Sequence, residues 1–197
     1  MSLLDRIVGR KAPLWYGTEA CRLALNDSRY SEDIVRMRND PEVNRYISGA
    51  GLTLEDHEKW LESQLHRRDA LNFAIVAHGR FAGTVSLYDI VPGVKCEYGR
   101  FVMPATSVRL HAPAAELLAL SFAFEVLGVA EVYCHVYEGS EKVRRVRIKL
   151  GWKRDEKYDE PNREGNSEFD SLGYSIPFEA WTETLERYRD KLQLLLG

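Results

Sequence analysis

With 197 residues, 45% of them hydrophobic and 29% charged, the chain has the length and balance of one folded domain with a full core, not of a disordered segment. Lysine and arginine number 27 against 30 aspartates and glutamates, and the net charge of -3 carries no footprint of a nucleic-acid or anionic-membrane partner. No stretch approaches the roughly 18 continuous apolar residues of a membrane span, and the start MSLLDRIVGRK has no apolar run long enough for a signal peptide.

In chain order, residues 1–19 carry Gly9, Pro13 and Gly17 and read as an irregular lead-in. Residues 21–25 read as a short strand closed by the turn cluster Asn26-Asp27-Ser28. Ser31-Glu32-Asp33 caps a helix with Ile34 and Met37 on one face, which stops before Pro41. Thr53 caps a second helix, with Leu54, Trp60, Leu61 and Leu65 as its apolar side and Arg67-Arg68 at its carboxyl end. Strands 72–77 and 81–90 flank the hairpin signal His78-Gly79-Arg80, and Val91-Pro92-Gly93 turns the chain into a third strand, completing an antiparallel meander.

A strand from Lys95 then breaks at Met103-Pro104, crosses a loop and enters a helix in which Pro113 suits the first turn, with Leu117, Leu118, Phe122 and Phe124 as apolar positions and Gly128 as the stop. Residues 131–137 are a β-prone run, and Glu138-Gly139-Ser140 leads into a helix ended by Gly151. Residues 155–168 read as a mobile charged loop, 169–176 as the last strand and 177–196 as a final helix carrying Phe178, Trp181, Leu185, Tyr188, Leu192 and Leu195. This order predicts an α/β domain over residues 20–197: a mixed, mostly antiparallel sheet, a central strand-loop-helix unit, and helices on both faces. Cys21, Cys96 and Cys134 have no metal spacing and read as buried free thiols in a reducing compartment, so a cytoplasmic protein without a metal is expected.

The strand-loop-helix unit over residues 95–124 has the shape of an anion site, because the first N–H groups of a helix lack internal partners. It has no glycine between Gly99 and Gly128 to bring backbone close to a phosphate.

Several strings, in their order along the chain, resemble the GNAT superfamily of acyl-CoA-dependent N-acyltransferases, in the branch that holds ribosomal-protein and amino-sugar acetyltransferases. They are Met37-Arg38-Asn39-Asp40-Pro41-Glu42-Val43, Glu55-Asp56-His57-Glu58-Lys59-Trp60, Phe81-Ala82-Gly83-Thr84-Val85 with Tyr88-Asp89-Ile90, Cys96-Glu97-Tyr98-Gly99, Ser121-Phe122-Ala123-Phe124 with Leu127-Gly128, and Lys149-Leu150-Gly151-Trp152.

The resemblance implies acetyl-CoA as co-substrate and a primary amine as acceptor. It suggests Glu97 as the base, against a plain solvated or ion-paired strand carboxylate. Strand alternation puts Lys95, Gly99 and Phe101 on the face of Glu97, and Tyr98 and Arg100 on the other. Backbone groups of Phe101, Val102 and Met103 would hold the carbonyl and the pantetheine arm. The family's pyrophosphate loop falls on Ser107, Leu110 and Ala112 without gaps, or on Arg109, Leu110, His111 and Ala112 with a two-residue slip. Arg109 and His111 would then replace some of the lost attraction, or belong to an ordinary polar loop. Ser140 takes the family's asparagine place and Arg147 its tyrosine place. Arg144, Arg145, Arg147 and Lys149 make either a solvated face or a weak phosphate contact. Arg38, Asn39, His57 and Tyr98 fall on the acceptor side, with an exposed helix position as the other reading of His57.

The expectation is an N-acetyltransferase acting on a nucleotide-linked amino sugar, or second on a protein amino terminus. The alternative is a GNAT-fold binding or assembly protein without acyl-CoA chemistry. The final helix either packs wholly on its own chain or extends to a second subunit as a homodimer seam.

Overall fold

A computed structural model of the protein describes residues 15–44, 51–161 and 170–196. Among them, eight strands form one sheet in the order β1-β2-β3-β4-β5-β6-β8-β7. These are β1 Trp15–Gly17, β2 Arg22–Leu25, β3 Leu71–Ala77, β4 Arg80–Val91, β5 Lys95–Val102, β6 Glu131–Tyr137, β7 Lys153–Arg154 and β8 Ser171–Pro177. The helices are α1 Ser31–Arg38, α2 Pro41–Asn44, α3 Leu54–Leu65, α4 Ala105–Ser121 with a π-helical extension Phe122–Val126, α5 Glu141–Lys149 and α6 Phe178–Leu196. Neighbouring strands are antiparallel except β5 and β6, which the α4 crossover joins in parallel. This is the mixed, mostly antiparallel α/β sheet expected from the element order.

Local chemistry explains most of the boundaries. Thr53 and Asp56 form a reciprocal capping box at the start of α3. His78 (φ 49°) and Gly79 (φ 75°) both take left-handed backbone, as a two-residue turn between β3 and β4 requires. Four boundaries differ from expectation. Part of the lead-in is the strand β1, whose Tyr16 packs edge-on against Phe122. The chain enters α1 through a short 3-10 turn, Ser28–Tyr30, capped by Asp27, so the cap precedes Ser31 by one turn. Leu54 and Leu65 of α3 are exposed and His57 is its buried side chain, while Arg67 pairs with Asp69 and Asp89, not with the helix end. Of the charged segment, Glu156–Tyr158 forms a 3-10 turn with Tyr158 stacked 4.0 Å from Tyr133; residues 162–169 lie outside the described residues.

The alternation of each strand divides the sheet into two faces. Leu23, Phe73, Ile75, Val85, Leu87, Cys96, Tyr98, Val132 and Cys134 face α4 and α6 in the main core. There Phe122 meets Phe73 edge-on and Trp181 stacks on Phe124. The three cysteines are free and buried, which pushes Cys21 up to about 11 and Cys96 and Cys134 up to about 12. The opposite face carries Asn72, Ser86, Tyr88, Glu97 and His135, with α1 against β4 and Gln64 of α3 bonded to Asn72.

Two irregularities interrupt the β4–β5 ladder, one between the Thr84–Val102 and Ser86–Gly99 pairs, the other between the Tyr88–Glu97 and Val91–Lys95 pairs. The first puts one extra residue into β5, with Arg100 at φ 50°. Simple alternation therefore fails beyond Gly99. Arg100 turns onto the face of Glu97, over the Tyr88 ring at 4.5 Å, and Phe101 turns to the core face beside Tyr98. On its other side β5 pairs with β6 only from Lys95 to Glu97, so from Tyr98 onward that edge has no ladder partner among the described residues.

The largest departure lies after β5. Helix α4 begins at Ala105, directly after the extended Pro104, and residues 107–113 are helical, not a loop. Pro113 lies inside the helix, roughly two turns past its start. An interior proline costs about 3 kcal/mol, but Ala105, Arg109, Leu110, Ala112, Ala114 and Ala115 are strong helix formers, and no glycine lies among them.

Candidate active site

Glu97 stands where β5 and β6 part. It pairs across the sheet with Tyr88 on β4 and Tyr133 on β6, and is 8% exposed. The Tyr88 hydroxyl donates to Glu97 Oε1, and His135 Nδ1 lies 2.9 Å from the same oxygen. Nε2 of His135 lies 3.7 Å from Glu160. Burial, and then the charge of Glu97, raise the Tyr88 phenol well above its ordinary range, so it remains a protonated donor. For His135, burial works against the charged form, but the bond and charge of Glu97 and the charge of Glu160 outweigh it and raise the pKa. Gly99 makes the room for this contact, because a Cβ there would stand 2.5 Å from the Tyr88 hydroxyl.

Beside this group, on the α1–α3 side, Arg38, His57, Trp60 and Arg100 converge. The Arg100 guanidinium lies 5.7 Å over Trp60, on which His57 stacks at 5.6 Å, and it donates to Asn72 Oδ1 at 3.1 Å. Burial, then the charge of Arg100, lower the pKa of Arg38; burial, then Arg38, lower that of His57. His57 is therefore a buried neutral ring, not an exposed helix histidine. Asn39 is committed elsewhere: its amide donates to Leu52 O at 2.7 Å and its oxygen accepts from Leu52 N at 3.0 Å, tying α1 to the start of α3.

Tyr98, expected on the acceptor side, faces the helices instead. It packs on Trp152 at 5.8 Å with the Arg147 guanidinium 4.8 Å over its ring. Arg147 is not part of a solvated basic face. It is buried and donates to Glu116 of α4, which also accepts from Trp152 Nε1 at 3.2 Å. Burial opposes its charge, but the Glu116 carboxylate holds the pKa above the ordinary arginine value. Arg145 pairs with Glu141 instead.

The helical frame of α4 takes the backbone N–H groups of Leu110, His111 and Ala112 into i to i−4 bonds, so they are not loop donors. The donors left over are those of the first turn, at Ala105 and Thr106. The His111 ring packs 5.8 Å from His78 of the β3–β4 turn. The side chains of Arg109 and Leu110 lie outside the described residues. Ser140 precedes α5 without capping it by its hydroxyl, which leaves that group open.

A pantetheine-like chain has physical support in this arrangement. The outer edge of β5 from Tyr98 through Phe101 and Val102 to Met103 offers backbone groups without a ladder partner among the described residues.

Of the residues named from the sequence, Glu97 lies on this face of the sheet, His57 is buried in α3, and Arg38 ends α1. Sequence reasoning missed His135 and Arg100, and read Tyr88 only as part of a string. The signal for Tyr88 and His135 was available in part, since both stand on strands adjoining that of Glu97.

A family model described as an acetyltransferase (GNAT) domain matches residues 22–153. Comparison with curated protein sequences gives no match. Among solved structures, the chain is similar to apo FdhC, a nucleotide-linked sugar GNAT, with TM-score 0.75 at 20% identity over 94% of this chain and 100% of that one. An acetyltransferase structure from T. thermophilus gives TM-score 0.75 at 26% identity over 93% and 99%. Spermidine N-acetyltransferase from Vibrio cholerae, in complex with CoA and spermine, gives 0.72 at 16% over 84% and 99%.

Proposed function

Since the chain belongs to the GNAT acetyltransferase family, we propose that it transfers an acetyl group from acetyl-CoA to a primary amine whose proton passes to Glu97. Acetyl-CoA supplies an acyl group on a thioester whose carbonyl carbon an unprotonated amine can attack. As the C–N bond forms and the C–S bond breaks, CoA leaves as its thiolate and takes a proton from solvent, while the nitrogen loses a proton that a carboxylate at that point takes. Both Tyr88 and His135 contact Oε1 of Glu97, which fixes the carboxylate. The open backbone edge at Phe101, Val102 and Met103 suits the carbonyl oxygen and the pantetheine amides. The first turn of α4, with Arg109 and Ser140, is the proposed contact region for the phosphates, in place of the glycine loop.

The single observation that carries the reading is Glu97, nearly buried, bonded to Tyr88 and His135 where β5 and β6 part. Glu97→Gln should lower turnover by roughly 10²–10⁴-fold with acetyl-CoA affinity retained. Unchanged turnover across the pH range would remove Glu97 from the mechanism. The acceptor proposed first is a nucleotide-linked amino sugar, in keeping with the nucleotide-linked sugar GNAT FdhC; a protein amino terminus is second. The rival, a binding protein without acyl-CoA chemistry, rests on the missing glycines. Calorimetry with acetyl-CoA separates the two: no saturable heat at millimolar concentration would favour the rival.

A further inference from the structure

The cationic group beside Glu97 is not accounted for by proton transfer. His57 and Trp60 from α3 and Arg100 from β5 are brought together, and Arg38 of α1 is near enough to Arg100 and His57 for their charges to interact. Arg100 reaches this face only because of the irregularity in β5, which gives a non-glycine residue a left-handed φ of 50°. With regular alternation its side chain would point to the opposite face. Once there, its guanidinium lies 5.7 Å over the Trp60 ring and 4.5 Å over the Tyr88 ring and donates to a neutral acceptor, Asn72 Oδ1. Arg38 stands near enough for the two charges to disfavour one another.

Among the described residues, several acids on the neighbouring elements have other partners. Asp69 and Asp89 are held by Arg67, and Glu160 faces His135 on the far side of Glu97. Glu97 itself is met by Tyr88 and His135, and Glu55 pairs with Lys59. A guanidinium laid on an aromatic wall, with a second like charge drawn up beside it, is a receptor for an oxyanion, for which the planar fork is well matched.

The geometry points to an anion subsite centred on Arg100, with Arg38 beside it, which holds a phosphate or carboxylate carried by the acceptor amine. The inference rests on the reading of Glu97 as the amine side of the site. The acceptor is then a small molecule with an amine at one end and a negative charge about one tyrosine ring away, since Tyr88 alone separates Arg100 from Glu97. Polyamines, which are positive throughout, are repelled by the same pair of arginines.

Calorimetry with saturating CoA tests the subsite without requiring turnover. Wild type, Arg38→Gln and Arg100→Gln are titrated with UDP-glucosamine, glucosamine 6-phosphate, aspartate, glucosamine and spermidine. The wild type should bind at least one anionic amine tenfold or more tightly than glucosamine and spermidine, and both variants should lose that preference. Whether the phosphate compounds or aspartate show it identifies the source of the anion. Equal affinity across the panel, including none for any compound, overturns the subsite, as does a preference that survives in both variants. Thermal melts of the variants establish that they are folded. Acetyl transfer by the same proteins is followed by thiol release. An anion preference without thiol release from any acceptor would sink the acetyl-transfer reading and leave the subsite standing.

Discussion

Beside Glu97 the titration of His135 sets opposite pH trends for stability and for turnover. The pKa of His135 is raised in the fold above the ordinary histidine value of about 6.5. Its charged form is therefore favoured by folding, and that contribution is fully present below about pH 6.5 and lost as pH rises through the raised value. Turnover should run the other way. While His135 is protonated, Glu97 is held in an ion pair and is a poor proton acceptor; once His135 is neutral the carboxylate is free to act. The ratio kcat/KM should rise with pH through a value above 6.5, and His135→Gln should displace or abolish that limb. An unchanged profile would exclude His135. Strand alternation assigns Glu97 to its face correctly, because the pattern holds up to Gly99. It misassigns Phe101 and Arg100, because one extra residue in a strand leaves no mark in composition or periodicity. His135 is hidden for another reason: its nearness to Glu97 follows from a parallel register that a single sequence does not specify.

Among the elements, α4 and α5 show which signals outweigh others. Pro113 is a good start signal, yet eight residues upstream of it the chain is already helical, because alanine, leucine and arginine dominate and no glycine interrupts them. On α5 the usual order is reversed: Val143, Val146 and Ile148 are exposed while Arg147 is buried. The cause is Glu116, on another helix, together with Trp152. Such a pair costs desolvation but is costly to break, since removing one partner strands the other charge. Arg147→Ala should therefore lower unfolding stability by about 3–5 kcal/mol in urea melts, against under about 1 kcal/mol for an exposed arginine. Replacing both partners together, as Arg147→Met with Glu116→Leu, should cost much less than either single loss. A small effect of Arg147→Ala would mean that the guanidinium is solvated after all.

For the whole molecule, the topology was the most legible part, because hydrophobic periods and turn residues report element order directly and the parallel crossover follows from a strand, a helix and a strand in succession. Assembly was less legible, since an apolar helical seam looks the same whether its own chain or another covers it. Among the described residues, its own chain covers the middle of this one. Trp181 is 1% exposed against Phe124, Thr184 donates to Leu150 O at 3.2 Å, and Leu185 and Tyr188 pack on the main core. The side chains of Leu192 and Leu195 lie outside the described residues. Among the described residues, the outer strands of the sheet, β1 and β7, have three and two residues and offer a partner little edge. A stable dimer would need on the order of 800 Å² from each subunit, more than the last turns of one helix supply. Light scattering at high concentration should therefore return the 22.6 kDa mass of a single chain. A doubled mass that reverts to the single value in Leu192→Glu or Leu195→Glu would show instead that the end of α6 is an interface, with the seam divided between two subunits.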